Sequence, residues 1–357
     1  MIKDQNINKL YDWMKSIGCL VENKYFDVRV VNESSRKVFA AEDIENGKLL
    51  GRLPVDVVIS PYCKKVADVC KELPFETIFS EQPSIIALAF FLALDMKNPN
   101  SFFKPYYEVF PKYDVFNYLQ FMPKETIDLI KGTQLYVEYC ERMLNLENCY
   151  NLIKVNLDKH NISFEEFKKS LFYVYSRIFG VIKEDNSDVV YLLNPFYDLI
   201  DDGGKHRNVD YKYNRKEHAY DFTALRNIKK GEELFIDYGD FYTCYYNNIV
   251  LLLDYGFTFS DNVRKIRIEF ELNQKKYKFN GEFINKDECE QLITKITNEQ
   301  HLTRNYIVNK LKEILNDKIQ LYQKIIKNSQ LENEKNILLV IKEENDICIN
   351  YLKFIGE

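Results

Sequence analysis

Glycine and proline are scarce in this chain of 357 residues, at 12 and 9 positions. That scarcity excludes a collagen-like or low-complexity polymer. With 46% hydrophobic and 29% charged residues, the composition is that of a packed globular protein. The eight cysteines stand at 19, 63, 70, 140, 149, 244, 289 and 348, and no two have the close spacing of a zinc knuckle. No metal site is expected, and the thiols are read as reduced. The longest apolar run, Ile85 to Leu94, is too short to cross a membrane and reads as a buried helix. The opening MIKDQNINKL lacks an apolar stretch of signal-peptide kind, so an intracellular protein, cytoplasmic or nuclear, is expected. The formal charge of −5 with both signs mixed leaves no broad basic field. Neither a membrane nor nucleic acid is therefore an expected direct partner.

What is present is a change of texture along the chain. Tyr11, Trp13, Met14, Ile17 and Leu20 recur at helical spacing near the start, and Tyr25 to Ser60 is rich in Val and Ile broken by polar turns. From about 65 to 180 the apolar residues return to helical spacing, as in Ile85, Leu88, Ala89 and Leu92, or Phe164, Phe167, Leu171, Val174 and Ile178. Val189 to Leu193, His218 to Leu225 and Glu233 to Tyr238 read as strands, and so does Lys265 to Leu272. Beyond it lie stripes such as Ile307, Leu311, Ile314 and Leu315, then Val340, Ile347, Tyr351 and Phe354. The expected fold class is α+β. An N-terminal helix and first β part (1–64) precede a helical insertion (65–180), a second β part (181–260) and a helical C-terminal domain (261–357).

The most informative segment is Gly231-Glu232-Glu233-Leu234-Phe235-Ile236-Asp237-Tyr238-Gly239, followed by Leu251-Leu252-Leu253-Asp254-Tyr255-Gly256-Phe257. As pattern alone it is a turn and a half-buried strand ending at glycine. It also resembles the C-terminal signature of SET domains, in the branch typified by the RuBisCO large-subunit methyltransferase. Other fragments follow in that branch's order: Ser35 to Ala40 ahead of Asp43-Ile44-Glu45-Asn46-Gly47, Ser101 to Tyr107 with Phe110-Pro111, Lys131-Gly132-Thr133, Tyr175-Ser176-Arg177-Ile178-Phe179, and Asn194-Pro195-Phe196-Tyr197-Asp198-Leu199-Ile200. The sequence departs from the pattern in two places. Lys37 stands where the family has glycine, and Asp201-Asp202 where it has Asn-His.

The resemblance implies a SET-type β-fold of short antiparallel strands split by a helical insertion and followed by an all-helical C-terminal domain. It also implies S-adenosyl-L-methionine as cofactor and another protein as substrate, bound between the SET core and the C-terminal lobe. Methyl transfer from a sulfonium to an amine needs alignment and an unprotonated nucleophile more than a strong acid or base. A channel that desolvates a lysine ammonium favours its neutral form. By resemblance Tyr238 is the catalytic tyrosine beside sulfur and methyl, and Phe257 lines the cofactor site or channel. The cofactor is expected against Arg36, Lys37, Val38 and Phe39, and against Ser176, Arg177, Asp198, Asp201 and Asp202. Arg177 has a physical reason to be there, since a guanidinium can hold a carboxylate through two bonds. Three readings of function stay open: a protein-lysine N-methyltransferase, a histidine methyltransferase of the same fold, and a SET-like interaction module that has lost its cofactor. A metal-dependent hydrolase built on Asp198, Asp201, Asp202 and His206 has no second ligand cluster to support it. Oligomeric state is not legible.

Overall fold

The computed structural model describes residues 5–32, 35–73, 83–111, 118–182, 189–203, 206–237, 246–260, 262, 265–282, 284–331 and 334–355. The chain divides into two compact units, Met1–Phe116 with Leu146–Cys244, and Asn117–Asn145 with Tyr245–Glu357. The four segments read from the sequence are an order along the chain, whereas these units are a grouping in space. Residues 117–145 lie within the helical insertion by sequence and group with the C-terminal residues.

The first unit opens on the helix Gln5–Ser16, whose Ile7, Leu10 and Met14 are buried on one face. Its strands are β1 (Leu20–Val21), β2 (Phe26–Asn32), β3 (Ser35–Ala40), β4 (Leu49–Pro54), β5 (Ile178–Ile182), β6 (Val189–Leu193), β7 (Asp201–Asp202), β8 (Val209–Asn214), β9 (Ala219–Ala224) and β10 (Phe235–Ile236). They form a four-stranded antiparallel sheet in the order β1-β4-β9-β8, two antiparallel hairpins, β2–β3 and β5–β6, and the pair β7–β10. Period-two alternation is clear in β9, where Tyr220, Phe222 and Ala224 are buried and Asp221 and Thr223 are half-buried. The pair β7–β10 is parallel, a departure from the all-antiparallel expectation. The β8–β9 hairpin lies between these two strands in sequence and serves as the crossover that a parallel pair requires.

The Gly-Glu-Glu segment folds back on β3. Gly231, at φ +86°, takes the left-handed turn that favours glycine, and its N–H donates to Ala40 O at 2.8 Å. Leu234 N donates to Val38 O at 2.7 Å, and Phe39 bridges Glu233. The apolar run expected to be a buried helix is one, Pro83–Asp95, with Ala87, Leu88, Phe90 and Leu92 each at 0% exposure. It packs on the helix Phe164–Tyr175. That helix starts at a Ser163–Glu166 capping box, which satisfies otherwise orphaned N–H groups.

The second unit contains the helices Asn248–Tyr255, Lys286–Gln300, Arg304–Ile326 and Lys335–Phe354. The first three are capped by Asn247, Asn285 and Thr303 side chains. The predicted stripes are buried at Ile307, Leu311, Leu315, Val340, Ile347 and Tyr351. The segment is not all helix. Strand β11 (Arg267–Leu272) pairs with β12 (Lys275–Asn280), and the exposed lysines at 275, 276 and 278 mask in sequence a strand whose Tyr277 and Phe279 face the core.

Residues 117–145 share this unit's apolar core through Leu119, Ile127, Ile130 and Leu135, and three polar links add to it. The Glu344 carboxylate accepts from Gln134 N at 2.8 Å and Leu135 N at 3.0 Å, at the start of the helix Gln134–Leu152. Gln134 Oε1 accepts from Glu269 N at 2.8 Å. Arg142 grips Asp254 through two bonds, Nε to Oδ1 at 3.1 Å and Nη2 to Oδ2 at 2.9 Å.

Candidate functional site

The helical stripe read through Ile178 ends earlier than expected. The helix stops at Tyr175, Ser176 caps its end, and Ile178 opens β5, whose Val181 and Ile182 pair with β6. Consecutive β-branched residues prefer the strand. Arg177 therefore sits in a turn between helix and strand and not on a helix face. Its partner is Asp198, with Nη1 to Oδ2 at 2.7 Å. The two are distant in sequence, so no test of helical neighbours could have found the pair.

This ion pair is buried, with side-chain exposures of 11% for Arg177 and 0% for Asp198. Tyr106, from the short helix Lys104–Tyr107, donates its hydroxyl to the same Asp198 oxygen at 2.6 Å. The guanidinium lies over the Phe110 ring at 4.6 Å, and Phe110 meets the Tyr106 ring edge-on at 4.8 Å. Burial pushes the Asp198 carboxyl above the usual range, while the guanidinium and the phenol act against that shift. Burial, then the neighbouring carboxylate, raises the Tyr106 phenol well above its ordinary value, so it remains a donor. Among the described residues, the buried Asp198 Oδ1 has no hydrogen-bond partner.

A second group of charges lies on the sheet. Lys37 Nζ binds both oxygens of Glu233, at 2.7 and 3.0 Å. The lysine in the glycine position is thus neutralised by a neighbour across the strands. Asp201 is pushed up to about 6, chiefly by burial; Lys37 pulls it down and Glu233 and Asp202 push it up. Asn208, 1% exposed, holds the edge of this segment: its Nδ2 donates to Glu233 O at 2.9 Å, and its Oδ1 accepts from Phe235 N at 2.8 Å. The turn after Asp202 is shaped for Gly203, where a Cβ would stand 2.4 Å from the Phe235 Cβ.

The other expected residues fall as follows. Arg36 donates to Val109 O at 2.9 Å, and Val38 is buried and paired with Val28. Phe39 lies beneath Arg29, 4.0 Å from guanidinium to ring. Ser176 Oγ donates to Tyr173 O at 3.3 Å. Phe257 belongs to the second unit, in an aromatic run with Tyr255 and Phe259. Tyr238 lies outside the described residues; Asp237, just before it, has one carboxylate oxygen 3.9 Å from Arg207. Sequence reasoning assigned no role to Tyr106, Phe110, Glu233 or Asn208. The first three stood inside quoted fragments, which was their only signal. Among the described residues no group of His, Cys, Asp and Glu is arranged to hold a metal, and no helix is long and apolar enough to cross a membrane.

With this geometry in place, the comparisons define the class. Residues 192–239 match the SET-domain family model. The structure is similar to that of Rubisco LSMT bound to AdoMet, with a TM-score of 0.68 at 15% identity, covering 98% of this chain and 91% of that one. The SET domain of LSMT bound to lysine and AdoHcy gives 0.68 at 14% identity, covering 99% and 90%. The chain thus carries a SET-domain match over residues 192–239 and has the fold of Rubisco LSMT. Among sequence relatives, the actin-histidine N-methyltransferase of Papio anubis is 23% identical over 291 residues, 77% of this chain and 46% of that protein. The N-lysine methyltransferase setd6 of Danio rerio is 23% identical over 281 residues, 72% of this chain and 58% of that protein. The chain spans about half the length of these curated relatives.

Proposed function

We propose that this protein is an S-adenosylmethionine-dependent protein N-methyltransferase that modifies a side-chain nitrogen of another protein, with lysine as the first expectation and histidine as the alternative. The observation that carries this reading is the buried Arg177–Asp198 pair, braced by Tyr106 and Phe110, inside a SET fold. A buried ion pair is a poor investment for stability alone, because desolvation consumes most of the Coulombic gain. Such a pair makes better sense where one of its charges serves a ligand, and that weighs against a pocket that has lost its cofactor.

The residues present fit the amino-acid end of the cofactor. That group is a zwitterion, and the site supplies a cation in Arg177 and an unpartnered buried acceptor in Asp198 Oδ1. Arg177 would hold the carboxylate, and Asp201 would attract the ammonium. When bound, the cofactor supplies an electrophilic methyl on a sulfonium. The chain's part is to orient that methyl and keep the acceptor nitrogen unprotonated and in line. By the SET-domain resemblance, Tyr238 is assigned to the tyrosine beside the reacting methyl.

Calorimetry with S-adenosylmethionine and S-adenosylhomocysteine tests the cofactor. A radiolabelled-methyl assay on cell lysate, with the modified residue identified by mass spectrometry, tests the transfer and separates lysine from histidine. Absence of binding at millimolar ligand, with no thermal stabilisation by mass action, rejects the reading in favour of an interaction module.

A further inference from the structure

We propose that Tyr106 is a positioning residue of the candidate site: its phenol fixes the Asp198 carboxylate, and through it the Arg177 guanidinium, in the attitude that meets the carboxylate of a ligand. The inference rests on the cofactor reading above.

The geometry behind it is the convergence of two donors on one oxygen. Tyr106 Oη and Arg177 Nη1 lie 2.6 and 2.7 Å from Asp198 Oδ2, while Oδ1 accepts from none of the described residues. Torsion about the Cβ–Cγ bond of aspartate is broad, so a single bond to the arginine leaves the carboxylate plane free to swing. A second donor arriving from another element removes that freedom. The phenol itself is fixed, because Tyr106 is 0% exposed and packs edge-on against Phe110. Phe110 in turn lies under the guanidinium. One stretch of chain thus touches both members of the pair, the hydroxyl on the anion and the aromatic face on the cation. The Lys104–Tyr107 helix and the Arg177 turn are far apart in sequence, and this contact makes the Pro105-Tyr106 fragment part of the site and not only of the core.

Tyr107 supplies the matched control. It also donates a phenol to a carboxylate, Asp95 Oδ2 at 2.7 Å, but its partner is not the arginine's anchor. The test measures binding of two ligands to Tyr106→Phe, Tyr107→Phe and the parent: S-adenosylhomocysteine, and 5′-methylthioadenosine, which has the nucleoside thioether without the amino-acid end. Tyr106→Phe is expected to weaken S-adenosylhomocysteine about tenfold, the scale of one hydrogen bond that orders a charged group, and to leave 5′-methylthioadenosine within about twofold. Tyr107→Phe is expected to leave both affinities unchanged while losing a comparable amount of thermal stability. Equal loss for both ligands in Tyr106→Phe, or no loss for either, overturns the proposal by showing a structural phenol only. A parent protein that binds neither ligand overturns the cofactor reading, and this inference with it. If Tyr106→Phe does not fold, Arg177→Lys supplies the second arm. It keeps the charge but not the fork, so equal loss of both ligands overturns the proposal, because Tyr106 acts through that guanidinium, and selective loss of the amino-acid ligand supports the arginine contact on which it rests.

Discussion

Glu344 lends itself to a sharp pH experiment. It is 0% exposed, and its carboxylate accepts from Gln134 N at 2.8 Å and Leu135 N at 3.0 Å. Burial pushes its carboxyl up to about 7, against the pull of those two N–H groups. Between the ordinary value of 4.5 and about 7 the folded protein holds a proton that the unfolded chain has released. Stability from this group is therefore fully present below about 4.5 and is lost as pH rises through about 7, the reverse of a salt-bridged carboxylate. The interval corresponds to roughly 3 kcal/mol. Glu344→Gln keeps a carbonyl acceptor for one of the N–H groups and cannot titrate. Denaturant unfolding of both proteins at several pH values from 5 to 8.5, followed by circular dichroism, gives the parent's stability minus the variant's. That difference should fall by roughly 2 to 3 kcal/mol across the range, most steeply between about pH 5 and 6.5 and levelling off above about 7. Taking the difference removes Asp201 and every other group the two proteins share. A difference that stays constant with pH refutes the reasoning, since it would mean that the helix-terminal N–H groups keep Glu344 ionised throughout.

Three further outcomes are expected. Arg177→Ala strands the buried Asp198 charge and should cost about 3 to 5 kcal/mol, and adding Asp198→Asn should recover part of it; strictly additive losses in denaturant melts would deny the pair. If Asp201, at about 6, attracts the ligand's ammonium, affinity for S-adenosylhomocysteine should fall as pH drops through 6 in the parent and stay level in Asp201→Asn; parallel pH profiles by calorimetry would remove Asp201 from the site. Tyr238→Phe should leave the melting temperature and cofactor affinity nearly unchanged and lower turnover roughly a hundredfold, and a variant that methylates as well as the parent would end its catalytic assignment.

The sequence made the order of elements legible because hydrophobic period and turn chemistry are local. The buried run Ile85 to Leu94, the strand Val189 to Leu193, and the stripes of Arg304–Ile326 and Lys335–Phe354 announce themselves through spacing alone. Strand β12 did not, because its exposed lysines imitate a loop; β8 was passed over although Val209, Tyr211 and Tyr213 alternate with polar residues as a half-buried strand requires. Residues 117–145 join the second unit through a shared apolar core and through bonds to Glu344, Glu269 and Asp254, all remote in sequence, and no periodicity encodes such links. The candidate site follows the same rule. Arg177 and Asp198 were identifiable as separate fragments by resemblance, but that they form one buried pair, held by Tyr106, is a tertiary fact.

The two departures from the family pattern are physically connected. A lysine in place of glycine adds a positive charge at 37, and two aspartates in place of Asn-His add negative charge at 201 and 202. Lys37 is drawn onto Glu233, which pairs across the strands with Phe39, and its field also lowers Asp201 against the upward push of burial. With the lysine absent, Glu233, Asp201 and Asp202 would be left without that compensating cation, and Asp201 would titrate still higher. With the aspartates absent, Lys37 would still have Glu233. The lysine is thus the condition for the acidic pair and not the reverse. The two changes act as one electrostatic unit, in which the lysine lowers the Asp201 carboxyl against the push of burial and so favours its ionised form near neutral pH.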